Sequence, residues 1–196
     1  LNEAPAAISV LTAKDIESIP ADNYGALLRN VPGLNVSQTS ARDFNMTARG
    51  STNTLSTSQL VLVDGRSLYL DFFGFVMWDF LPVNTAEIKQ IEVVQGPASA
   101  VWGANAMTGV VNLITKRPKE MIGTNVVLGA GELSTMYGSV THAGVADKLG
   151  YKLSAGYYEQ DAYPRPTSFP LPTGGRGNLF PFDNEGTQQP KVDVRF

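Results

Sequence analysis

Few side chains in this sequence could do chemistry. The 196 residues contain no cysteine, which excludes thiol nucleophiles, disulfides and zinc–thiolate sites. The single histidine, His142, leaves no histidine cluster for a transition metal and no Ser-His-Asp triad elsewhere. The closely spaced carboxylates are Asp71 with Asp79 and Asp183 with Glu185. They lie in loop-like sequence without a nucleophile or oriented base nearby, so we interpret them as solvated charges.

An enzyme is therefore the least supported of the functions considered. A glycosidase, for example, needs two carboxylates about 5–10 Å apart across a cleft, and nothing in the sequence indicates such a pair. The sequence predicts no cofactor and no metal site. A net charge of −3 also gives no reason to expect nucleic acid, because binding a phosphate backbone requires a basic face.

Aromatic side chains offer binding rather than catalysis. The densest group lies at residues 69–80 and includes Tyr69, Phe72, Phe73 and Trp78. Such rings can stack on a bound ligand, but they can equally pack into a core. The sequence leaves both roles open.

Before about residue 120, short helices alternate with strands. Thr12 with Asp15, and Asn84 with Glu87, have the spacing of helix-capping boxes. A further helix is expected to start near Asp22. Pro97 is expected to be the first helical residue, followed by a single turn at 98–102. Strands are predicted at 8–11, 34–36, 44–49, 60–63, 91–94 and 110–115. This mixture predicts a small α+β domain.

After residue 120 the pattern becomes one of strands alone. Residues 151–158 alternate, with Tyr151, Leu153, Ala155 and Tyr157 on one face and Lys152, Ser154 and Gly156 on the other. Further strands are expected at 124–130, 135–145 and 191–196, with a Pro/Gly-rich loop at 161–190. Strands of about ten residues with tyrosines at both ends suit a bilayer, although a soluble β-meander remains an alternative. Because so few strands cannot close a barrel, the membrane interpretation implies a fragment of a longer protein.

Seven short motifs follow one another in the first part of the chain. They are Ile8-Ser9-Val10-Leu11-Thr12, Leu28-Arg29-Asn30-Val31-Pro32-Gly33-Leu34, Arg49-Gly50, Val61-Leu62-Val63-Asp64-Gly65, Ile91-Glu92-Val93-Val94-Gln95-Gly96-Pro97, Val101-Trp102-Gly103-Ala104-Asn105-Ala106 and Gly109-Val110-Val111-Asn112-Leu113-Ile114-Thr115-Lys116. Each motif alone is weak. Together, in this order and spacing, they resemble the plug domain of TonB-dependent outer-membrane receptors.

The resemblance implies a fold and a function. Residues 1–119 would form the α+β plug domain, a small mixed sheet with short helices. Residues 120–196 would form the first antiparallel strands of a large transmembrane β-barrel, here truncated, of about 22 strands. Such a receptor lies in the bacterial outer membrane, contacts its lipid and is energised by TonB, which would grip a box upstream of Leu1. The expected cargo is a ferric siderophore, with cobalamin, haem or an oligosaccharide as alternatives. A free periplasmic plug-like binding module is the competing function.

The resemblance also implies roles for individual residues. A first set would contact ligand from the apical plug loops: Arg42, Asp43, Arg66, Tyr69, Phe72, Phe73 and Trp78. A second set would take part in ionic or gating contacts between plug and barrel: Arg49, Glu92 and Lys116. Gln95 stands where many relatives carry arginine, a departure that removes one charge from this second set.

Overall fold

The structure is a computed structural model that describes residues 7–21, 23–38, 44–48, 59–72, 74–76, 78, 81–164, 168–170, 176–178 and 186–196. Arg42, Asp43, Arg49 and Phe73, which the sequence nominated as contact residues, lie outside these ranges. Within them, no helix is both long and apolar enough to cross a membrane.

The described residues up to Glu120 form a front unit of short elements. Its strands are β1 (Ala7–Thr12), β2 (Leu34–Gln38), β3 (Phe44–Ala48), β4 (Gln59–Val63), β5 (Arg66–Ser67), β6 (Tyr69–Leu70), β7 (Phe75–Val76), β8 (Ile88–Gln95) and β9 (Gly109–Thr115). Its helices are α1 (Ala13–Ser18), α2 (Tyr24–Leu28) and α3 (Ser99–Trp102). Single 3-10 turns occupy Thr85–Glu87, Ala104–Ala106 and Pro118–Glu120.

A mixed sheet is the centre of the front unit. The strand order is β1-β8-β9-β4-β5, with β4 parallel to β9 and the other neighbours antiparallel. One face carries Val61, Val63, Ile91, Val93 and Leu113, which pack with α2 into the main core. Leu60, Leu62 and Val110 form a smaller cluster on the other face with Ala106. As the apolar sequence at 60–63 predicts, all of β4 is buried.

Side-chain caps mark where α1 and α2 begin. The Thr12 hydroxyl accepts a hydrogen bond from the Asp15 backbone N–H, and the Asp15 carboxylate accepts one from the Thr12 backbone N–H, which confirms the capping box. Helix α2 begins at Tyr24, one residue after its cap, Asn23. The expected role of Pro97 is wrong in detail, because Ala98 is the N-cap of α3 and the proline precedes it.

The later strands form a separate antiparallel sheet. In chain order they are β10 (Gly123–Ala130), β11 (Met136–Ala146), β12 (Leu149–Gln160), β13 (Ser168–Pro170), β14 (Arg176–Asn178) and β15 (Thr187–Arg195). The sheet order is β10-β11-β12-β15, and β13 pairs with β14 inside the stretch expected to be a loop. Strand β15 begins at Thr187, four residues earlier than the sequence indicated.

The two faces of this four-stranded sheet have opposite character. The outer face exposes apolar residues and tyrosine, in register across the strands: Val126, Leu128, Val140, Leu153, Tyr157, Val192 and Val194. The inner face, which lies against the front unit, buries Lys152, Ser154 and Tyr158. The alternation read from residues 151–158 is therefore confirmed, with the polar side turned toward the front unit.

Candidate functional site

The loop predicted to contact ligand divides into exposed and buried residues. The Phe72 side chain is 91% exposed, and Arg66 is also exposed. Tyr69 is half-buried, and its hydroxyl donates a hydrogen bond to the carbonyl of Gly74, 2.8 Å away. Trp78 is buried in the main core, where its ring centroid lies 5.2 Å from that of Phe44. Of the two roles left open for this aromatic group, Trp78 takes the packing role.

The charged residues predicted to link the two units make their described contacts inside the front unit. Glu92 on β8 accepts hydrogen bonds from Gln90 at 2.7 Å and Asn112 at 3.3 Å. Lys116 donates to the carbonyl of Ala86 at 3.1 Å and lies 3.7 Å from a Glu17 carboxylate oxygen. Both residues therefore stabilise the front unit.

Gln95 has a structural role of its own. Its buried amide donates a hydrogen bond to the Pro32 carbonyl. Gly33 has a φ of +77°, and a Cβ there would lie 2.5 Å from the Gln95 amide oxygen. Glycine is thus required at this turn.

A buried ion pair joins the front unit to the four-stranded sheet. Glu87, at the end of the Thr85–Glu87 turn, lies 2.7 Å from Lys152 Nζ on β12, and both side chains are fully buried. The other Glu87 oxygen accepts hydrogen bonds from the Asn84 backbone at 3.3 Å and its side-chain amide at 2.9 Å. In the part of the chain that the structure describes, Lys152 Nζ and its partner oxygen have no hydrogen bond of good geometry. Their 2.7 Å contact is an ion pair without hydrogen-bond alignment.

Gly156 lets the two units approach at this point. A Cβ at this inner-face position would lie 2.3 Å from Asn84 Oδ1, inside the capped turn that holds Glu87. Lys152 and Gly156 are four residues apart on β12 and share its inner face. Strand β12 thus provides, on one face, the cation that pairs with Glu87 and the glycine that leaves room for Asn84.

Tyr24 marks a further contact between the units. Its hydroxyl donates to the Val83 carbonyl, and Lys191 Nζ of β15 lies 5.3 Å from the centre of its ring. This distance suits a cation–π interaction. Burial, and secondarily the charge of Glu87, raises the pKa of the Tyr24 phenol well above its usual range, so the ring stays neutral. Cavities of about 60 Å³ and 220 Å³ remain between the units, too small for a large chelate.

A second ion pair lies at the end of β9. Arg195 on β15 is 2.5 Å from an Asp64 carboxylate oxygen and donates to the Thr115 hydroxyl at 2.6 Å. Asp64 also accepts from the Thr115 backbone at 2.8 Å and its hydroxyl at 2.9 Å. Burial raises the pKa of Asp64, but the hydrogen bonds from Thr115 and Arg195 outweigh that effect and hold it below its ordinary value.

Sequence reasoning missed both of these ion pairs. The local signals were present: Glu87 belongs to the predicted capping box, and Lys152 is the cation on the polar face of the predicted strand. No sequence pattern indicated that these two residues, 65 positions apart, pair with each other. Among the described residues, no group of three or more His, Cys, Asp or Glu side chains could hold a metal ion.

Comparison with known proteins decides the family. A family model described as TonB-dependent Receptor Plug Domain matches residues 1–110. The chain belongs to this family. The front unit is its plug, and the four-stranded sheet corresponds to the barrel strands that follow the plug in such receptors.

Curated relatives of this plug protein include transporters and receptors. The vitamin B12 transporter BtuB of Vibrio vulnificus is 31% identical over 166 residues, covering 83% of this chain and 26% of the relative. The ferric enterobactin receptor PirA of Pseudomonas aeruginosa is 33% identical over 142 residues, covering 62% of this chain and 18% of the relative. The chain thus spans about a quarter or less of these relatives' lengths.

Solved structures agree with the fold. The siderophore receptor PirA from Acinetobacter baumannii superimposes with a TM-score of 0.59 and 28% identity, covering 79% of this chain and 24% of that one. The ferric enterobactin receptor PfeA from Pseudomonas aeruginosa, a mutant in complex with enterobactin, gives a TM-score of 0.59 and 26% identity, covering 82% and 26%.

Proposed function

We propose that residues 1–119 are the plug and residues 120–196 the first barrel strands of a TonB-dependent receptor that imports a scarce nutrient across the bacterial outer membrane. One observation carries this proposal. The four-stranded sheet has an apolar outer face suited to lipid, while its inner face is polar and ion-paired to the plug. A water-soluble sheet would bury its apolar face instead. TonB would supply the energy through a segment upstream of Leu1, without chemistry on the cargo.

A ferric siderophore is the cargo that we propose. Relatives named as siderophore or ferric enterobactin receptors support it. Between β4 and β7, the exposed side chains of Arg66 and Phe72 provide a cation and an aromatic ring. Both groups suit an anionic aromatic chelate. The hydrogen bond from Tyr69 to Gly74 stabilises this segment. We propose that Arg42, Asp43 and Phe73 also contact the cargo. Cobalamin is the second candidate, because a relative named as a vitamin B12 transporter is 31% identical.

Growth on defined nutrients distinguishes the two cargoes. A strain lacking the full-length gene is supplied with ferric enterobactin as the sole iron source or, in a second arm, with limiting vitamin B12. We expect slower growth and loss of ⁵⁵Fe uptake only in the siderophore arm, with both restored by the gene. A defect confined to the vitamin arm would transfer the assignment to cobalamin. A protein that fractionates without membranes would instead identify a periplasmic binding module.

A further inference from the structure

Three polar side chains interrupt the apolar outer face of the four-stranded sheet. The Thr124 hydroxyl lies 2.9 Å from Nδ1 of His142, and the Tyr151 hydroxyl lies 3.4 Å from Nε2 of the same ring. Exposed apolar side chains of the same face lie on both sides of them, Val140 on one side and Leu149 on the other. These three residues, here named the polar cluster, therefore form a hydrogen-bonding site within a surface that is otherwise largely apolar.

Gly144 gives the polar cluster its geometry. It pairs with Tyr151 across the two strands, and a Cβ at Gly144 would lie 2.5 Å from the Tyr151 hydroxyl oxygen. The tyrosine ring can therefore lie across β11, where its centroid is 5.9 Å from that of the His142 ring. A larger residue at position 144 would displace the tyrosine from the histidine. The cluster thus depends on matched residues of three neighbouring strands.

The polar cluster has more hydrogens to donate than it uses internally. A neutral imidazole has one N–H and each hydroxyl has one O–H, which makes three hydrogens, whereas the two contacts inside the cluster use only two. The third hydrogen needs an acceptor from outside, because hydrocarbon offers none and an unpaired donor there is costly. The ligand that suits this site therefore carries acceptor oxygens and an apolar part.

The lengths of the connections between strands indicate which leaflet the polar cluster faces. Residues 147–148 join β11 to β12 at the end nearer the cluster, whereas residues 161–186 join β12 to β15 at the other end. In outer-membrane barrels, short turns face the periplasm and long loops face outside. The cluster therefore belongs to the inner leaflet, where the lipids are phospholipids.

Positive charge is in excess at this end of the sheet. The turn Pro118–Glu120 packs against the start of β12, since a Cβ at Gly150 would lie 3.2 Å from Pro118. The exposed charged residues at 117–122 and 147–148 are the cations Arg117, Lys119 and Lys148 and the anions Glu120 and Asp147. Glu120 is already paired with Lys89, 2.5 Å away. An anionic headgroup suits this rim better than a zwitterionic one.

We propose that the polar cluster binds a phosphodiester oxygen of an anionic phospholipid in the inner leaflet. The acyl chains lie along the exposed side chains of Val126, Val140 and Leu153, and the cations of the rim complement the headgroup charge. The site rests on the proposed function, because it requires that this face meets a membrane. It goes beyond that function, since one lipid is bound at a defined place instead of serving only as solvent.

Native mass spectrometry of the full-length receptor, purified in detergent and titrated with phosphatidylglycerol, tests the site. Tyr151→Phe keeps the ring and removes one hydroxyl, so we expect the first lipid to bind about fivefold more weakly. Tyr157→Phe is the matched control, because it makes the same change on the same face at the other end of β12, and should leave binding unaltered. Gly144→Ala should weaken binding at least as much as Tyr151→Phe, by displacing the ring.

The choice of lipid is tested with phosphatidylethanolamine, which has the same phosphodiester but no net charge. We expect it to bind more weakly than phosphatidylglycerol, and we expect Lys148→Gln to reduce the difference. Equal binding of the two lipids to the unaltered receptor would overturn the assignment of an anionic phospholipid.

Two other results would overturn the site itself. Equal phosphatidylglycerol binding by Tyr151→Phe, Tyr157→Phe and the unaltered receptor would show that lipids coat this face without a defined site. A receptor dimer that is lost in Tyr151→Phe would assign the face to a second copy of the chain. Only protein with heat-modifiable gel mobility is scored, and if Gly144→Ala does not assemble, Tyr151→Phe decides.

Uptake of siderophore separates this inference from the proposed function. A receptor that imports siderophore but binds lipid independently of Tyr151 keeps its function and loses the site. A receptor that binds phosphatidylglycerol through Tyr151 but imports no siderophore keeps the site and loses the proposed cargo.

Discussion

Asp64 shows how a single side chain can join two sheets. Its φ of 49° places it in the left-handed turn after β4, a conformation that asparagine and aspartate adopt more readily than most other non-glycine residues. From there, one carboxylate binds the end of β9 and the guanidinium of Arg195. Because these donors lower the pKa of Asp64, its ionised form is stabilised in the folded protein.

The lowered pKa of Asp64 predicts a stability difference that depends on pH. A carboxylate whose pKa falls on folding adds stability at neutral pH, and this is lost as the pH drops through the folded-state pKa, below the ordinary value of 3.8. Asp64→Asn keeps the shape and the turn but removes the charge. We expect it to cost about 1 kcal/mol at pH 7, a modest figure because a third of the side chain is exposed.

Denaturant unfolding of the full-length receptor and the Asp64→Asn variant, between pH 7 and pH 3, measures this difference. The difference between the two stabilities should shrink as the pH falls below 3.8. A difference that stays constant over this range would mean that the charge of Asp64 is not what stabilises the contact.

At the scale of elements, short-range chemistry sets most boundaries of the plug. Helix α1 has only six residues, too few to be stable alone, so its first turn depends on the Thr12–Asp15 capping box. Strand β1 precedes it directly and is the edge strand of the sheet, paired only with β8 among the described strands. The cap therefore fixes the turn between the edge strand and the first helix.

Removal of the Thr12 hydroxyl should destabilise the turn between β1 and α1. Thr12→Ala removes the side-chain acceptor and should cost about 1 kcal/mol, whereas Thr12→Ser keeps the hydroxyl and should cost little. Amide exchange in α1 measures the effect locally, with the amides of β9 as an internal reference. Equal protection of α1 in both variants would show that packing of Ile16, rather than the cap, holds the helix.

Local patterns predicted the elements well, and long-range contacts account for what they missed. The capping spacings predicted α1 and the Thr85–Glu87 turn, and the alternation predicted both faces of β12. These features could be predicted because each depends on residues within a few positions of one another. The burial of Trp78 and the Glu87–Lys152 pair depend on how separate elements pack, which no local pattern encodes. Strand pairing at 168–170 with 176–178 was missed for the same reason, since Pro and Gly indicated only a loop.

At the scale of the whole molecule, the four-stranded sheet separates two environments. On its outer face, Leu153 and Ala155 of β12 lie between Tyr151 toward one end and Tyr157 toward the other, which are six residues apart, or about 20 Å. Two rings bracketing an apolar band are typical of strands that cross an outer membrane. His142 lies on this face between Thr124 and Tyr151, at 2.9 Å and 3.4 Å, beside one of the rings.

The outer face provides the sharpest test of membrane insertion. Val140 lies mid-strand on this face, opposite Val126 and Ala155 of the neighbouring strands. An arginine there would face lipid, so Val140→Arg should cost about 2–4 kcal/mol and reduce the receptor assembled in the outer membrane. Asn125→Arg is the matched control, because Asn125 is exposed but belongs to the opposite, inner-facing set of β10. Heat-modifiable gel mobility and membrane fractionation measure assembly of both variants. If Val140→Arg assembles as well as Asn125→Arg, the outer face meets water, and the sheet is not part of a membrane barrel.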